Sequence, residues 1–260
     1  MKRIILSLYL AMAPLSAFAE EMFEVGLISG WRMADGNHVA GVEIKLAPGW
    51  KTYWRSPGDA GIPPQIDFSG SKNLKSASLE FPVPVALDIN GMRSIGYKKD
   101  VILPLVLTPI DPGQPITLEA EVVLGVCNQI CVPVDVMLSG LLQPSQTKDA
   151  RLSAALGDRP RLLSGGGGTK AKCEISGTKS GISLAATLTM PAASGEEIGI
   201  VEIFDRDIWV GETAVTRRGQ ALTLTAEMEH ISGKPFALDR SQLRFTVLGK
   251  GEAVEVRGCD

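Results

Sequence analysis

The sequence predicts an all-β protein built from two β-sandwich domains, and three observations lead to this expectation. Short apolar segments recur along the chain and are separated by clusters of Gly, Pro, Asn and Asp. Many of these segments alternate between apolar and polar residues, which is the period of a half-buried strand. A run of four glycines, Gly165 to Gly168, separates two parts. Each part is close to the ~100 residues of an immunoglobulin-like sandwich, which we expect for both.

Eight segments carry the clearest strand signal. They have the length of strands and are bounded by turn residues. They cover residues 39–46, 101–107, 116–124, 134–142, 182–190, 198–204, 221–228 and 243–248. In the first of them every even-numbered residue from Ala40 to Leu46 is apolar, so we expect a strand with one buried face.

One segment between the two parts departs from the β pattern. Residues 149–156 contain good helix formers, begin with Asp149 and are followed by Gly157, which are start and stop signals of a helix. The four glycines that follow cannot hold regular structure and indicate a linker. We therefore predict a first domain over residues 20–145, a helix and Gly-rich linker over 146–168, and a second domain over 169–260.

The N-terminus has the pattern of a secretory signal peptide over residues 1–19. Lys2 and Arg3 precede an apolar run that ends at Ala17-Phe18-Ala19, a typical cleavage site. This run is shorter than the roughly 20 residues that cross a bilayer, and Pro14 interrupts it. We expect the mature chain to begin at Glu20 and to be a soluble periplasmic protein that does not itself span the membrane.

Charge and histidine content exclude two classes of function. Cleavage removes two of the 26 basic residues and none of the 29 acidic ones, which leaves a net charge of −5. Because a nucleic-acid partner requires a basic surface, we expect none. His38 and His230 have no Cys or His at ligand spacing, so no zinc site is evident, and the sequence has no phosphate-binding Gly loop; we expect neither a metal nor a cofactor.

The four cysteines are expected to form two disulfides, because the periplasm is oxidising. Cys127 and Cys131 flank three residues between two predicted strands, which places their Cα atoms within bonding reach. So short a loop gives little entropic stabilisation, and an exposed bond at a hairpin tip favours redox activity. The spacing alone is equally compatible with a structural staple.

The second pair, Cys173 and Cys259, is expected to be structural. The two residues lie on the first and last predicted strands of the second domain. A bond between them would close a loop of about 85 residues, for which chain entropy gives on the order of 4.5 kcal/mol.

Two further segments could surround a reactive cysteine pair. Residues 49–61 contain two tryptophans and Tyr53, which would either form a wall around a thiol or fill a core. Residues 88–97 contain an Asn-Gly turn signal with Met92 and Tyr97, and would either cover a site or return to the core.

Three motifs lie in a fixed order over about 90 residues. They are Gly49-Trp50 through Tyr53-Trp54 to Pro57-Gly58-Asp59-Ala60-Gly61, then Gly96-Tyr97 before Leu103-Pro104, then Val126-Cys127-Asn128-Gln129-Ile130-Cys131-Val132-Pro133. Together they resemble the periplasmic N-terminal (alpha) domain of the DsbD thiol:disulfide interchange family, above all its ScsB-like branch, where the cysteines are also three residues apart. The second domain resembles, more weakly, the further β-domain of ScsB-like proteins.

The resemblance implies an immunoglobulin-like fold whose cysteine pair relays electrons from a membrane electron donor of the DsbD or CcdA type to periplasmic thioredoxin-fold proteins. By motif position, Cys131 would form mixed disulfides and Cys127 would resolve them. Tyr53 would lie beside the pair, and the segment with Met92 and Tyr97 would match the cap that shields it. The sequence has no membrane domain and no thioredoxin module, so a separate donor would be needed.

Three hypotheses follow. The first is a thiol-disulfide oxidoreductase of the protein-disulfide reductase type, which uses Cys127 and Cys131. The alternative is a non-catalytic periplasmic binding or assembly module whose disulfides are structural. A third hypothesis is a role in metal stress through the protection of client thiols. The redox behaviour of the Cys127/Cys131 pair distinguishes the first two.

Overall fold

A computed structural model describes residues 22–59, 61–89, 91–163 and 171–260. Within these ranges the chain forms nineteen β-strands, one α-helix and one 3-10 helix. The predicted signal peptide, Asn90 and the run Gly165 to Gly168 lie outside the described residues. No helix within the described ranges is long and apolar enough to cross a membrane.

The first part of the chain contains ten strands in two sheets. They are β1 (Phe23–Arg32), β2 (His38–Leu46), β3 (Lys51–Tyr53), β4 (Gln65–Asp67), β5 (Leu74–Leu79), β6 (Val85–Ile89), β7 (Met92–Tyr97), β8 (Val101–Pro109), β9 (Ile116–Cys127) and β10 (Cys131–Leu142). One sheet has the order β1-β2-β8-β5, and the other has the order β10-β9-β3-β7-β6 with β4 paired to β9. Apolar side chains such as Ile44, Leu105 and Leu124 fill the space between the sheets.

A helix covers the outer face of the first sheet. Helix α1 (Ala150–Gly157) begins after Asp149, whose carboxylate accepts hydrogen bonds from the backbone N–H groups of Arg151 and Leu152. The buried Leu152 packs against Val39 on β2. A Cβ at Gly41 would lie 2.8 Å from a Leu152 methyl carbon, so glycine lets Leu152 pack here without shifting. The expectation that β2 has a single buried face is therefore wrong for its first half.

The second part of the chain contains nine strands in two further sheets. They are β11 (Arg161–Leu162), β12 (Lys172–Gly177), β13 (Ile182–Thr189), β14 (Ile198–Ile203), β15 (Ile208–Val210), β16 (Ala214–Arg218), β17 (Ala221–His230), β18 (Leu243–Leu248) and β19 (Ala253–Arg257), with a 3-10 helix at Arg240–Gln242. The orders are β11-β19-β18-β14 and β12-β13-β17-β15, with β16 paired to β17. The prediction of an all-β fold with two sandwiches is confirmed.

The second sandwich is tied together by the disulfide between Cys173 and Cys259. Cys173 lies on β12 of one sheet, whereas Cys259 follows β19 of the other sheet by two residues. Cys259 is therefore beyond the last strand rather than within it. The bond joins the two sheets through the core, where Cys259 packs with residues such as Phe245.

The two sandwiches contact each other through apolar and charged residues. Ile200, Leu248 and Ala253 of the second sandwich pack against the core of the first. Arg55, which follows β3, forms ion pairs with Glu202 on β14 at 2.9 Å and with Glu255 on β19 at 2.7 Å. These ion pairs connect the end of β3, in the first sandwich, with the second sandwich.

Candidate active site

The hairpin formed by β9 and β10 positions the first cysteine pair. The two strands are antiparallel, and Cys127 lies directly opposite Cys131 in their register. The sulfurs form a disulfide, and the two Cα atoms are 4.1 Å apart. Three residues connect the strands, and the backbone N–H of Asn128 donates to the carbonyl oxygen of Ile130. The pair therefore lies at the tip of a hairpin in a rigid antiparallel sheet.

The two sulfur-bearing residues differ in exposure. Cys127 is fully buried, with 0% of its surface accessible, whereas Cys131 is partly exposed. Residues beside Cys131 are also open to solvent, since Ile130 is 75% and Val132 is 38% exposed. Because thiol-disulfide exchange requires one sulfur to reach another directly, Cys131 is the more accessible of the two sulfur-bearing residues for such exchange.

Tyr53 lies beside the exposed sulfur. Its hydroxyl oxygen is 3.0 Å from Sγ of Cys131. A disulfide sulfur carries no proton, so the hydroxyl is the donor. Burial raises the pKa of Tyr53 above its usual value of 10.0, so the phenol stays protonated at neutral pH. Gly125 makes room for the ring, because a Cβ there would lie 2.8 Å from two of its carbon atoms.

Strand β6 covers the buried sulfur with apolar side chains. Leu87 and Ile89 are both buried and cluster with Tyr53 and Cys127. The ammonium group of Lys51, on β3, donates a hydrogen bond to the carbonyl oxygen of Asp88 at 3.2 Å. Ile89 lies within residues 88–97, the segment predicted to shield the pair, whereas Leu87 lies just before that segment. Sequence reasoning missed these two residues, although they alternate with Asp88 as core-facing strand residues do.

Two residues predicted to surround the pair lie elsewhere. Tyr97 packs in the main core of the first sandwich, and its hydroxyl donates to the carbonyl oxygen of Pro82 at 2.9 Å. It pairs with Thr52, one residue before Tyr53, and successive residues of a strand point to opposite faces. Met92 follows the turn between β6 and β7 and is 53% exposed, outside the buried cluster around Cys127.

Comparison with known proteins supports the resemblance seen in the motifs. Residues 24–143 match the family model of the N-terminal domain of the thiol:disulfide interchange protein DsbD. The resemblance to the DsbD family is thereby confirmed for this part of the chain. A comparison with curated proteins gave no match.

Two solved structures are similar to this chain. The N-terminal periplasmic domain of ScsB from Proteus mirabilis has a TM-score of 0.67 and 22% sequence identity, over 94% of this chain and 95% of that one. The N-terminal domain of DsbD from Neisseria meningitidis, in its reduced form, has a TM-score of 0.29 and 16% identity, over 46% of this chain and 86% of that one. The ScsB likeness shows that the fold extends over both sandwiches.

Proposed function

We propose that the protein is a periplasmic thiol-disulfide exchange protein that relays electrons through Cys127 and Cys131. It would receive them from a membrane electron donor of the DsbD or CcdA type and pass them to thioredoxin-fold clients. The observation that carries the proposal is the asymmetry of the pair. Cys131 is accessible and accepts a hydrogen bond from Tyr53, whereas Cys127 is buried directly behind it. The match of residues 24–143 supports the same chemistry.

The exchange proceeds in two balanced steps. The thiolate of reduced Cys131 attacks one sulfur of a client disulfide, which forms a mixed disulfide and releases the other client sulfur as a thiolate. The thiolate of Cys127 then attacks the Cys131 sulfur, and the client leaves with both of its sulfurs reduced. Two electrons pass to the client, and the Cys127–Cys131 disulfide is re-formed. A dithiol of the membrane donor reduces it again by the reverse sequence.

The surroundings of the pair favour Cys131 as the attacking sulfur. The Tyr53 hydroxyl can donate to the Cys131 sulfur while that sulfur carries negative charge, which stabilises it as a nucleophile and as a leaving group. Leu87 and Ile89 keep water and small oxidants from Cys127. Because Cys127 and Cys131 are directly opposite, the resolving sulfur is within reach as soon as the mixed disulfide forms.

The identity of the attacking sulfur tests the proposal. The oxidised mature protein is mixed with a thioredoxin-fold domain that retains only its attacking cysteine, quenched with an alkylating agent and run on non-reducing gels. We expect a covalent complex whose cross-link maps to Cys131 by mass spectrometry. Cys127→Ser should form the complex with a preactivated partner cysteine, and Cys131→Ser should not. The matched control is the double variant Cys173→Ser/Cys259→Ser, which should still form it.

Two outcomes would contradict the proposal at different levels. A cross-link at Cys127 would reverse the roles of the two cysteines. The absence of any complex with several thioredoxin-fold partners would reject the relay and favour a binding module with structural disulfides.

A further inference from the structure

A cavity of about 780 Å³ lies where the two sandwiches meet, away from the cysteine pair. Its walls are the end of β5 and the segment after it, the end of helix α1 and the segment after it, and strands β11, β18 and β19. Arginines dominate the polar part of this wall. They are Arg55, Arg159, Arg161, Arg244 and Arg257. A volume of this size is typical of small-molecule sites, which measure roughly 300–1,000 Å³.

The positive charge of this wall exceeds the negative charge beside it. Two carboxylates, Glu80 and Glu255, line the cavity, and Glu202 lies behind it against Arg55. Five guanidinium groups and two carboxylates therefore line the cavity, an excess of three positive charges at its surface, which Glu202 beside Arg55 and Glu252 near Arg161 partly offset. The chain as a whole has a net charge of −3, so this excess is local.

Two of the arginines lie opposite each other. Arg244 on β18 and Arg257 on β19 are direct partners in the antiparallel register. Like charges at such a position destabilise a sheet. Glu255 offsets part of this repulsion, since its carboxylate is 2.7 Å from Arg257, but it also binds Arg55 at 2.7 Å. One carboxylate is thus shared among several cations.

Arg244 is incompletely paired. Only 15% of its side chain is exposed, and its nearest carboxylate oxygen, on Glu255, is 3.8 Å away. Among the described residues, its buried Nε has no hydrogen-bond partner. Desolvation lowers the pKa of Arg244, and repulsion from Arg55 lowers it further. A buried guanidinium with an unused donor is costly unless an acceptor binds there.

We propose that this cavity binds a small polyanion that carries at least two carboxylate or phosphate groups. Guanidinium groups bind both groups through paired, charge-assisted hydrogen bonds. Such a ligand would supply the acceptor that Arg244 lacks and would separate the charges of Arg244 and Arg257. It would contact both sandwiches, and so would stabilise their contact. The proposal does not depend on the redox function.

Calorimetric titration of the mature protein at low ionic strength tests this site, with inorganic pyrophosphate and citrate as probes. We expect one binding site per chain. Tighter binding of pyrophosphate would identify a phosphate ligand, and tighter binding of citrate would identify a carboxylate ligand. Arg244→Gln and Arg257→Gln should each weaken binding at least about tenfold. The matched control is Arg218→Gln, which removes an exposed positive charge from β16, outside the cavity, and should leave the affinity unchanged.

The variants are chosen so that the result is decisive. Arg257 is 61% exposed, so its replacement should leave the fold intact even if Arg244→Gln does not fold. Binding of neither probe would overturn the proposal. An equal loss of affinity in Arg218→Gln would also overturn it, because it would show nonspecific attraction of anions by the surface.

Discussion

The two disulfides of this protein lie in opposite settings. Cys127–Cys131 joins residues four apart at a hairpin tip, with one sulfur-bearing residue accessible and a tyrosine hydroxyl 3.0 Å from its sulfur. Cys173–Cys259 joins residues 86 apart and ties two sheets through a core. Under the proposed function, the first arrangement positions sulfur for reaction, and the second would hold a domain together. The two bonds therefore differ in loop length and in exposure.

Chain entropy makes this difference quantitative. The loop-closure model gives about 2 kcal/mol for the short loop and about 4.5 kcal/mol for the long one. Cys173–Cys259 should thus contribute most of the disulfide stabilisation. Loss of Cys127–Cys131 should affect reactivity more than folding.

The largest effect is expected from removal of the long-range bond. Cys173→Ser/Cys259→Ser should lower the free energy of unfolding by about 4.5 kcal/mol, because the unfolded chain gains the freedom of the open loop. Cys127→Ser/Cys131→Ser serves as the matched comparison and should lower it by about 2 kcal/mol. Urea denaturation followed by circular dichroism measures both. Equal losses would show that the two bonds do not differ in structural role.

The next effect concerns the cover over Cys127. Leu87→Ala should destabilise the first sandwich by about 3 kcal/mol, because Leu87 is buried against the cysteine. It should also increase the rate at which a small dithiol reduces Cys127–Cys131, since the cavity gives access to the sulfur. Rates are measured by quenched alkylation. The control is Leu224→Ala in the core of the second sandwich. It should destabilise by a similar amount without changing that rate.

The third largest expected effect is the difference in reduction potential between the two disulfides. The entropy difference of about 2.5 kcal/mol corresponds to about 50 mV for a two-electron couple, so Cys127–Cys131 should be the more oxidising bond by at least that amount. Equilibration in thiol redox buffers, with mass spectrometry of alkylated cysteines, measures each potential. Equal potentials would contradict the division of roles.

Much of the fold could be predicted from the sequence because strand periodicity is local. Each of the eight predicted segments coincides with a strand to within a few residues. The eight segments omit the ten-residue β1 (Phe23–Arg32) as well as short strands such as β3 (Lys51–Tyr53) and β15 (Ile208–Val210), whose three residues cannot display a period. The segment around β3 also contains bulky aromatic residues. Their burial, rather than an alternating pattern, determines where this segment lies.

The site was only partly predictable, for a reason of geometry. The cysteines and Tyr53 follow from motif position, and the structure brings Tyr53 to Cys131. Tyr97 was expected beside them but lies in the main core, because the register pairs it with Thr52 rather than with Tyr53. Leu87 and Ile89 were missed because their contact with Cys127 depends on pairing between strands distant in sequence.

The smallest expected effect separates the hydroxyl of Tyr53 from its ring. Tyr53→Phe keeps the buried ring and removes only the donor to Cys131, so the free energy of unfolding should fall by about 1 kcal/mol. Exchange with a thioredoxin-fold partner should slow about three- to tenfold at neutral pH, since a hydrogen bond to a charged sulfur is lost. The sulfur pair of the second sandwich has no part in this exchange, so its reduction rate should be unchanged and is the internal control.

Because burial raises the pKa of Tyr53, the hydroxyl remains a donor through the range in which thiols ionise. The difference in exchange rate between the unmodified protein and Tyr53→Phe should therefore persist through this pH range. It should narrow only above a pH of about 10, where the phenol loses its proton. Stopped-flow rates across this range measure the effect, and an unchanged rate in Tyr53→Phe would show that Tyr53 only fills space beside Cys131.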